Sequence, residues 1–119
     1  MFDHIGLRVK DVEAAARLYT AMLAPLGYVA GPRDSSYAGF GPEGAPALWL
    51  QLSKDPKRGA HIALRAADRA AVDRFHAAGL KAGAKDNGAP GLRTDYAPNY
   101  YGAFLIDLDG NNVEAVCML

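Results

Sequence analysis

The segment His4-Ile5-Gly6-Leu7-Arg8 comes back in the middle of the chain as His61-Ile62-Ala63-Leu64-Arg65. Both copies alternate. Ile5, Leu7 and Val9 fall on one side of an extended chain, and His4, Gly6 and Arg8 on the other. Ile62 and Leu64 repeat the apolar side; His61, Ala63 and Arg65 repeat the other. An aspartate follows each copy, Asp11 and Asp68, at the place where a helix N-cap belongs. Such a repeat in so short a chain means two copies of one folding unit, each opening on a half-buried strand that carries a histidine.

Working outward, Val12, Ala15, Ala16, Tyr19, Met22, Leu23 and Leu26 recur at helical spacing after Asp11, and Gly27 closes that helix. Short strands are expected at Tyr28 to Ala30 and Tyr37 to Phe40, separated by a Gly-Pro-Arg-Asp turn, and a clearer one at Ala47 to Ser53. In that last strand Leu48, Leu50 and Leu52 share a face opposite Trp49 and Gln51. In the second copy the apolar helix stripe is Val72, Phe75 and Ala78 (or Leu80), with Gly79 as its stop and His76 on the surface. A short strand near Lys81 to Ala84 and a loop from Asp86 to Pro98 follow. Strands at Tyr100 to Ile106 and Asn112 to Met118 are joined by Asp107-Leu108-Asp109-Gly110-Asn111, which holds an Asp-Gly hairpin signal.

The expected fold is α+β, with two tandem β-α-β-β-β modules in one domain over residues 1–119: module one 1–53, linker 54–59, module two 60–119. A unit of about 55 residues is marginal alone. Two such units, paired within one chain or swapped between two, would form a curved mixed sheet around a concave site, with the helices outside. The chain has 119 residues, half of them hydrophobic, with 13 Lys+Arg against 13 Asp+Glu. That balance lacks the basic footprint of a nucleic-acid binder. No apolar run approaches the roughly 18 residues of a membrane span. No signal peptide is read at the start, and the single Cys117 cannot form an internal disulfide, so a cytoplasmic protein is expected.

If the aliphatic faces pack on the helices, His4 and His61 point into the concavity. The same alternation places Glu114 inward when Val113, Ala115 and Cys117 pack under the helices. Two imidazoles and one carboxylate suit one divalent ion with open coordination positions, such as Zn, Ni, Mn or Fe. Arg8 and Arg65 repeat and suit a clamp on an anion or a plain strand end. Arg93, Tyr96 and Asn99 stand in or beside a Gly/Pro-rich loop of the kind that closes over pockets. Tyr37, Trp49, Tyr100 and Tyr101 could line a pocket or pack as core. Cys117 and the helix residues Val12, Tyr19, Met22 and Phe75 read as packing.

The chain resembles the vicinal oxygen chelate superfamily, the group of glyoxalase I, extradiol dioxygenases, fosfomycin-resistance and bleomycin-resistance proteins. The resemblance rests on Asp3 to Val9, on Ala60 to Leu64, and most specifically on Asn99-Tyr100-Tyr101-Gly102-Ala103-Phe104 with Asp109-Gly110-Asn111-Asn112-Val113-Glu114-Ala115-Val116. It is similar in that stretch to a small glyoxalase-like branch. The resemblance implies that His4, His61 and Glu114 are metal ligands, with Glu114 also catalytic. It implies a small-molecule substrate chelated through vicinal oxygens, no nucleic-acid or membrane partner, and a homodimer. The substrate-binding candidates are Arg8, Tyr37, Trp49, Gln51, Arg93, Tyr96, Asn99 and Tyr101. One position departs from the pattern: where a glyoxalase I offers a second carboxylate, this chain has Trp49 and Gln51. Neither can act as a base near neutral pH, which leaves Glu114 alone for that part. Dioxygenase, lyase or isomerase, and thiol-transferase chemistry all remain open. The competing expectation is a metal-free protein that sequesters a ligand, of the bleomycin-resistance type.

Overall fold

Both helices begin where the aspartates predict. In the computed structural model, which describes residues 3–54 and 59–119, the Asp11 carboxylate accepts from the Ala14 amide at 3.0 Å and the Asp68 carboxylate from the Ala71 amide at 2.7 Å. The first unit runs β1 (Ile5–Val9), α1 (Val12–Leu23), β2 (Val29–Arg33), β3 (Tyr37–Gly41) and β4 (Leu48–Leu52). The second runs β5 (His61–Arg65), α2 (Arg69–Lys81), β6 (Lys85–Leu92), β7 (Tyr101–Ile106) and β8 (Asn112–Cys117). The fold is therefore α+β and built from two β-α-β-β-β units. Residues 55–58 of the expected linker, and Met1 and Phe2 before β1, lie outside the described residues.

Each unit forms its own four-stranded mixed sheet, ordered β1-β4-β3-β2 and β5-β8-β7-β6. The first strand pairs parallel with the last in both units, and the other ladders are antiparallel. No ladder joins the sheets among the described residues, so β1 and β5 each end a sheet with an open edge. α1 and α2 pack against each other and against the sheets. The alternation of the repeat holds within the strands: Leu7, Val9 and Ile62 are buried in one core with Tyr19, Met22, Phe75 and Leu105, while Gly6, Arg8, His61, Ala63 and Arg65 are exposed. Cys117 is buried on the core side, as expected.

Several boundaries differ from the sequence expectation for local reasons. α1 ends at Leu23, and Leu26 belongs to a separate 3-10 turn closed by Gly27 at φ 83°. Gly31, Pro32 and Arg33 extend β2, and the turn falls on Asp34 to Ser36, where the Asp34 carboxylate accepts from the Ser36 amide and hydroxyl and from the Tyr37 amide. Gly79 does not stop α2; it is a buried helical residue whose missing Cβ leaves room for the Leu105 side chain. The stop comes later, at Gly83 with φ 109°. Within the stripe Leu80 is exposed. His76 is not on the surface but buried, its Nε2 at 2.8 Å from Asp86 Oδ1. Lys85 to Leu92, expected to be mostly loop, is an edge strand whose register shifts around Gly88.

Between the two units lies a buried polar knot. The Asp107 carboxylate accepts from the Tyr19 hydroxyl of α1 at 2.7 Å, from the Asn111 side-chain amide at 2.8 Å, and from the Asp109 and Asn111 backbone amides, each at 2.8 Å. Asn111 in turn accepts from the Ala60 amide, just before β5, and Asp109 accepts from the Lys10 amide, just after β1. A carboxylate taken out of water is tolerated only when its lone pairs are filled, and these are. Burial, followed by the nearby Asp107 charge, holds the Tyr19 hydroxyl well above the ordinary tyrosine range, so it stays a donor.

Tyr19→Phe removes one donor to this buried charge and is expected to cost about 1.5–3 kcal/mol. Urea unfolding at neutral pH with an unchanged m-value checks it. A loss below about 0.5 kcal/mol would show that the knot is not under load.

Candidate functional site

On β8, Val113, Ala115 and Cys117 turn into the core, so alternation turns Glu114 to the opposite, open face of the second sheet. It is nonetheless only 2% exposed. Three neighbours cover it. The β7–β8 register sets Phe104 directly across from it. Tyr100, just before β7, donates its hydroxyl to Glu114 Oε1. His61, at the start of β5, places Nε2 3.2 Å from Glu114 Oε2. Gly102 makes this possible, since a Cβ there would stand 3.2 Å from the Tyr100 ring and 3.3 Å from Glu114 Oε1.

The second nitrogen of His61 sets the chemistry of the pair. Nδ1 lies 3.2 Å from the Asn112 carbonyl oxygen, which can only accept, so Nδ1 carries the proton of that bond. The lone pair of Nε2 then faces a carboxylate oxygen. The 3.2 Å separation leaves these two atoms close enough to share one small cation between them. A ring nitrogen anchored on a backbone carbonyl is also the usual support of a metal-binding histidine.

His4 is placed elsewhere. Its Nδ1 sits 2.7 Å from Asp3 Oδ1, and the residue lines a cleft of about 230 Å³ between the units with Tyr28, Phe40, Ile62 and Leu64. Among the described residues no three of His, Cys, Asp or Glu gather in one chain. One chain brings His61 and Glu114 together and leaves His4 apart.

The other candidates divide between two surfaces. Arg8, Tyr37, Trp49 and Gln51 share the open face of the first sheet: Arg8 pairs in register with Gln51, as does Tyr37, whose ring meets Trp49 edge-on at 5.9 Å. Trp49 lies across Gly39, and the Gln51 amide lies over Gly6. Arg93 and Tyr96 belong to the Glu114 surface, Tyr96 through an edge contact with Tyr100 at 5.2 Å. Asn99 is exposed in the turn before Tyr100. Tyr101 turns the other way: its hydroxyl donates to Asp73 of α2 at 2.6 Å, with Arg69 over its ring. Its neighbour Tyr100 holds the place by the carboxylate. Sequence reasoning did not assign Phe104 to the site, and it offered Tyr100 only as pocket lining or core, not as the partner of Glu114. The Asp-Gly turn could have exposed Phe104, because a hairpin closing over Asp107 to Asn111 sets Phe104 opposite Glu114.

With this geometry in view, comparison with known proteins gives a consistent result. The model of the Glyoxalase-like domain family matches residues 4–116. The chain belongs to this family, within the vicinal oxygen chelate superfamily. A solved glyoxalase/bleomycin resistance protein from Albidiferax ferrireducens T118 is 28% identical, with 98% of each chain covered and a TM-score of 0.87. A glyoxalase/bleomycin resistance protein/dioxygenase family enzyme from Burkholderia phytofirmans PsJN shares the fold at 16% identity, 98% coverage of both chains and a TM-score of 0.76. So does a glyoxalase-related enzyme from Fulvimarina pelagi, at 18% identity, 94% and 84% coverage and a TM-score of 0.73. None of the curated proteins matches. No helix among the described residues is long and apolar enough to cross a membrane.

Burial, and then the hydrogen bond to Glu114, pushes the Tyr100 hydroxyl up to about 12. A raised value stabilises the neutral form, so its contribution is complete below the ordinary tyrosine range and is lost as pH climbs through about 12. The ultraviolet difference titration of wild type against Tyr100→Phe is expected to isolate one phenol ionising near that pH. In Glu114→Gln the same phenol should ionise at lower pH; an unchanged titration would dissociate Tyr100 from Glu114.

Proposed function

We propose that the chain is a divalent-metal-dependent enzyme of the glyoxalase-like kind, acting on a small oxygenated molecule. The metal ligands in this reading are His61 and Glu114 of one chain and His4 of a second copy. The observation that carries it is His61 Nε2 standing 3.2 Å from Glu114 Oε2, with Nδ1 3.2 Å from the Asn112 carbonyl oxygen. The donor chemistry fits: one imidazole nitrogen and one carboxylate oxygen are in place, and Asp3 holds Nδ1 of His4 so that Nε2 is left for a ligand. The open edges of β1 and β5 supply the means, since an unpaired strand edge readily joins another chain. A homodimer that brings β1 of one copy beside β5 of the other would give each site its third ligand.

Bound there, such an ion supplies Lewis acidity to substrate oxygens. The chain's own residues do the rest. Tyr100 occupies Glu114 Oε1 and leaves Oε2 toward His61. The Asn112 carbonyl fixes the imidazole, and Phe104 shields the carboxylate from water. The last strand of the second unit offers Glu114, whereas the last strand of the first has Gln51 where a second carboxylate is expected. An isomerisation that shuttles a proton between two carbons through a free carboxylate beside the metal is thus less favoured than dioxygenase or thiol-transferase chemistry.

The same close pair also favours a second reading. With a proton between them, His61 and Glu114 form an ion pair, and the protein sequesters a ligand without metal.

Metal analysis of protein purified without chelator or tag separates the two. Stoichiometric Mn, Fe, Ni or Zn, lost in His61→Ala and in His4→Ala, is the expected result. Co-expressing those two variants should restore metal to part of the sites, because a mixed dimer keeps one intact set. No uptake of any of the four metals sinks the enzyme reading; loss in the single variants without restoration places all ligands in one chain.

A further inference from the structure

The geometry points to a small oxyanion as the ligand of the Glu114 surface, held by the guanidinium of Arg93. The inference deepens the proposed function and rests on its placement of the reacting centre at His61 and Glu114.

Arg93 follows β6, and its backbone amide donates to the Tyr100 carbonyl at 2.7 Å. Its side chain runs back along the open face over two glycines. A Cβ on Gly91 would stand 3.1 Å from one terminal nitrogen, and one on Gly88 3.2 Å from the other. The Gly88-Ala89-Pro90-Gly91 irregularity of β6 therefore forms the bed of this guanidinium. Within it Nη2 donates to the Ala89 carbonyl at 2.7 Å, and the guanidinium carbon lies 5.5 Å from the centre of the Phe104 ring. On that ring's other flank is His61, its ring nearly parallel and 6.5 Å away. Guanidinium, phenyl and imidazole form a row, with the Glu114 carboxylate beside it.

Of the five N–H donors of Arg93, one is used by the protein among the described residues, and no carboxylate there pairs with it. A cation already fixed by a carbonyl and a ring loses little freedom on binding, and its planar fork matches a carboxylate or phosphate through two parallel bonds. The remaining charge on the open faces has the same sign. Arg8 and Arg65 are exposed there without ion pairs among the described residues, while the one carboxylate, Glu114, is engaged. A ligand with an oxygenated carbon at His61 and an acid group at Arg93 fits this row, the acid a few bonds from the oxygens.

Three probes share a vicinal diol and differ in the group beside it: glycerate, glycerol 3-phosphate and propane-1,2-diol. Binding to the full chain is read by titration calorimetry, in metal-free protein and again with added Zn²⁺. One of the two anions should bind at least about tenfold tighter than the diol, and Arg93→Gln should abolish the difference, the scale of one charge-assisted hydrogen bond. Arg93→Lys, which keeps the charge without the fork, should retain part of it. The tighter anion identifies carboxylate or phosphate as the acid group. Equal binding of anion and diol, or an anion preference that survives in Arg93→Gln, overturns the inference. The metal-free arm keeps the two proposals apart. Anion preference in a protein that takes up no metal defeats the metal reading alone, and metal uptake without anion preference defeats this one alone.

Discussion

The buried carboxylate of Asp107 is the constraint on which the rest of the structure leans. It draws Tyr19 of the first unit and the turn of the second into one satisfied knot, and through Asn111 it fixes the chain entering β5. The same turn dictates the β7–β8 register. A slip of one residue would exchange the two faces of β8 and send Glu114 into the core. The candidate surface around Glu114 is therefore downstream of a hydrogen-bond network that contains none of its residues.

That surface is unusual in its economy of charge. A carboxylate at 2% exposure is normally a liability, yet Glu114 has a donor on one oxygen and an imidazole at the other. Tyr100 is in place because position 102 is glycine, and Arg93 because positions 88 and 91 are. Three small residues thus give the polar groups their positions, and Phe104 separates the cationic group from the imidazole.

Much of the architecture was legible because half-buried strands alternate and helices declare their caps. The repeat of His-Ile-x-Leu-Arg, the Asp11 and Asp68 caps and the inward side of Leu7, Ile62, Val113 and Cys117 all followed from period and side-chain type. Three things were not legible, each for a physical reason. β6 is an edge strand broken by Gly88 and Pro90, so it has no buried face to impose alternation. His76 and Gly79 were misplaced because their burial depends on partners distant in sequence, Asp86 and Leu105. The distance between His4 and His61 depends on how two sheets meet, and strand alternation fixes a side chain's face without fixing its distance from another sheet. Tyr100, just before β7, and Tyr101, its first residue, exchanged roles because alternation from Phe104 sets position 100 on the Glu114 face and position 101 against α2.

The polar knot also tells something about ancestry. The two units began alike, but they no longer close alike. The turn between β3 and β4, Pro42-Glu43-Gly44-Ala45, is exposed at Glu43, whereas its counterpart buries Asp107 beneath a tyrosine of the other unit. Cut apart, the second unit would keep an acid lacking a donor and the first a phenol without its acceptor. The halves have become unequal members of one cooperative body, so neither can be shuffled, permuted out or duplicated again without first rebuilding that joint.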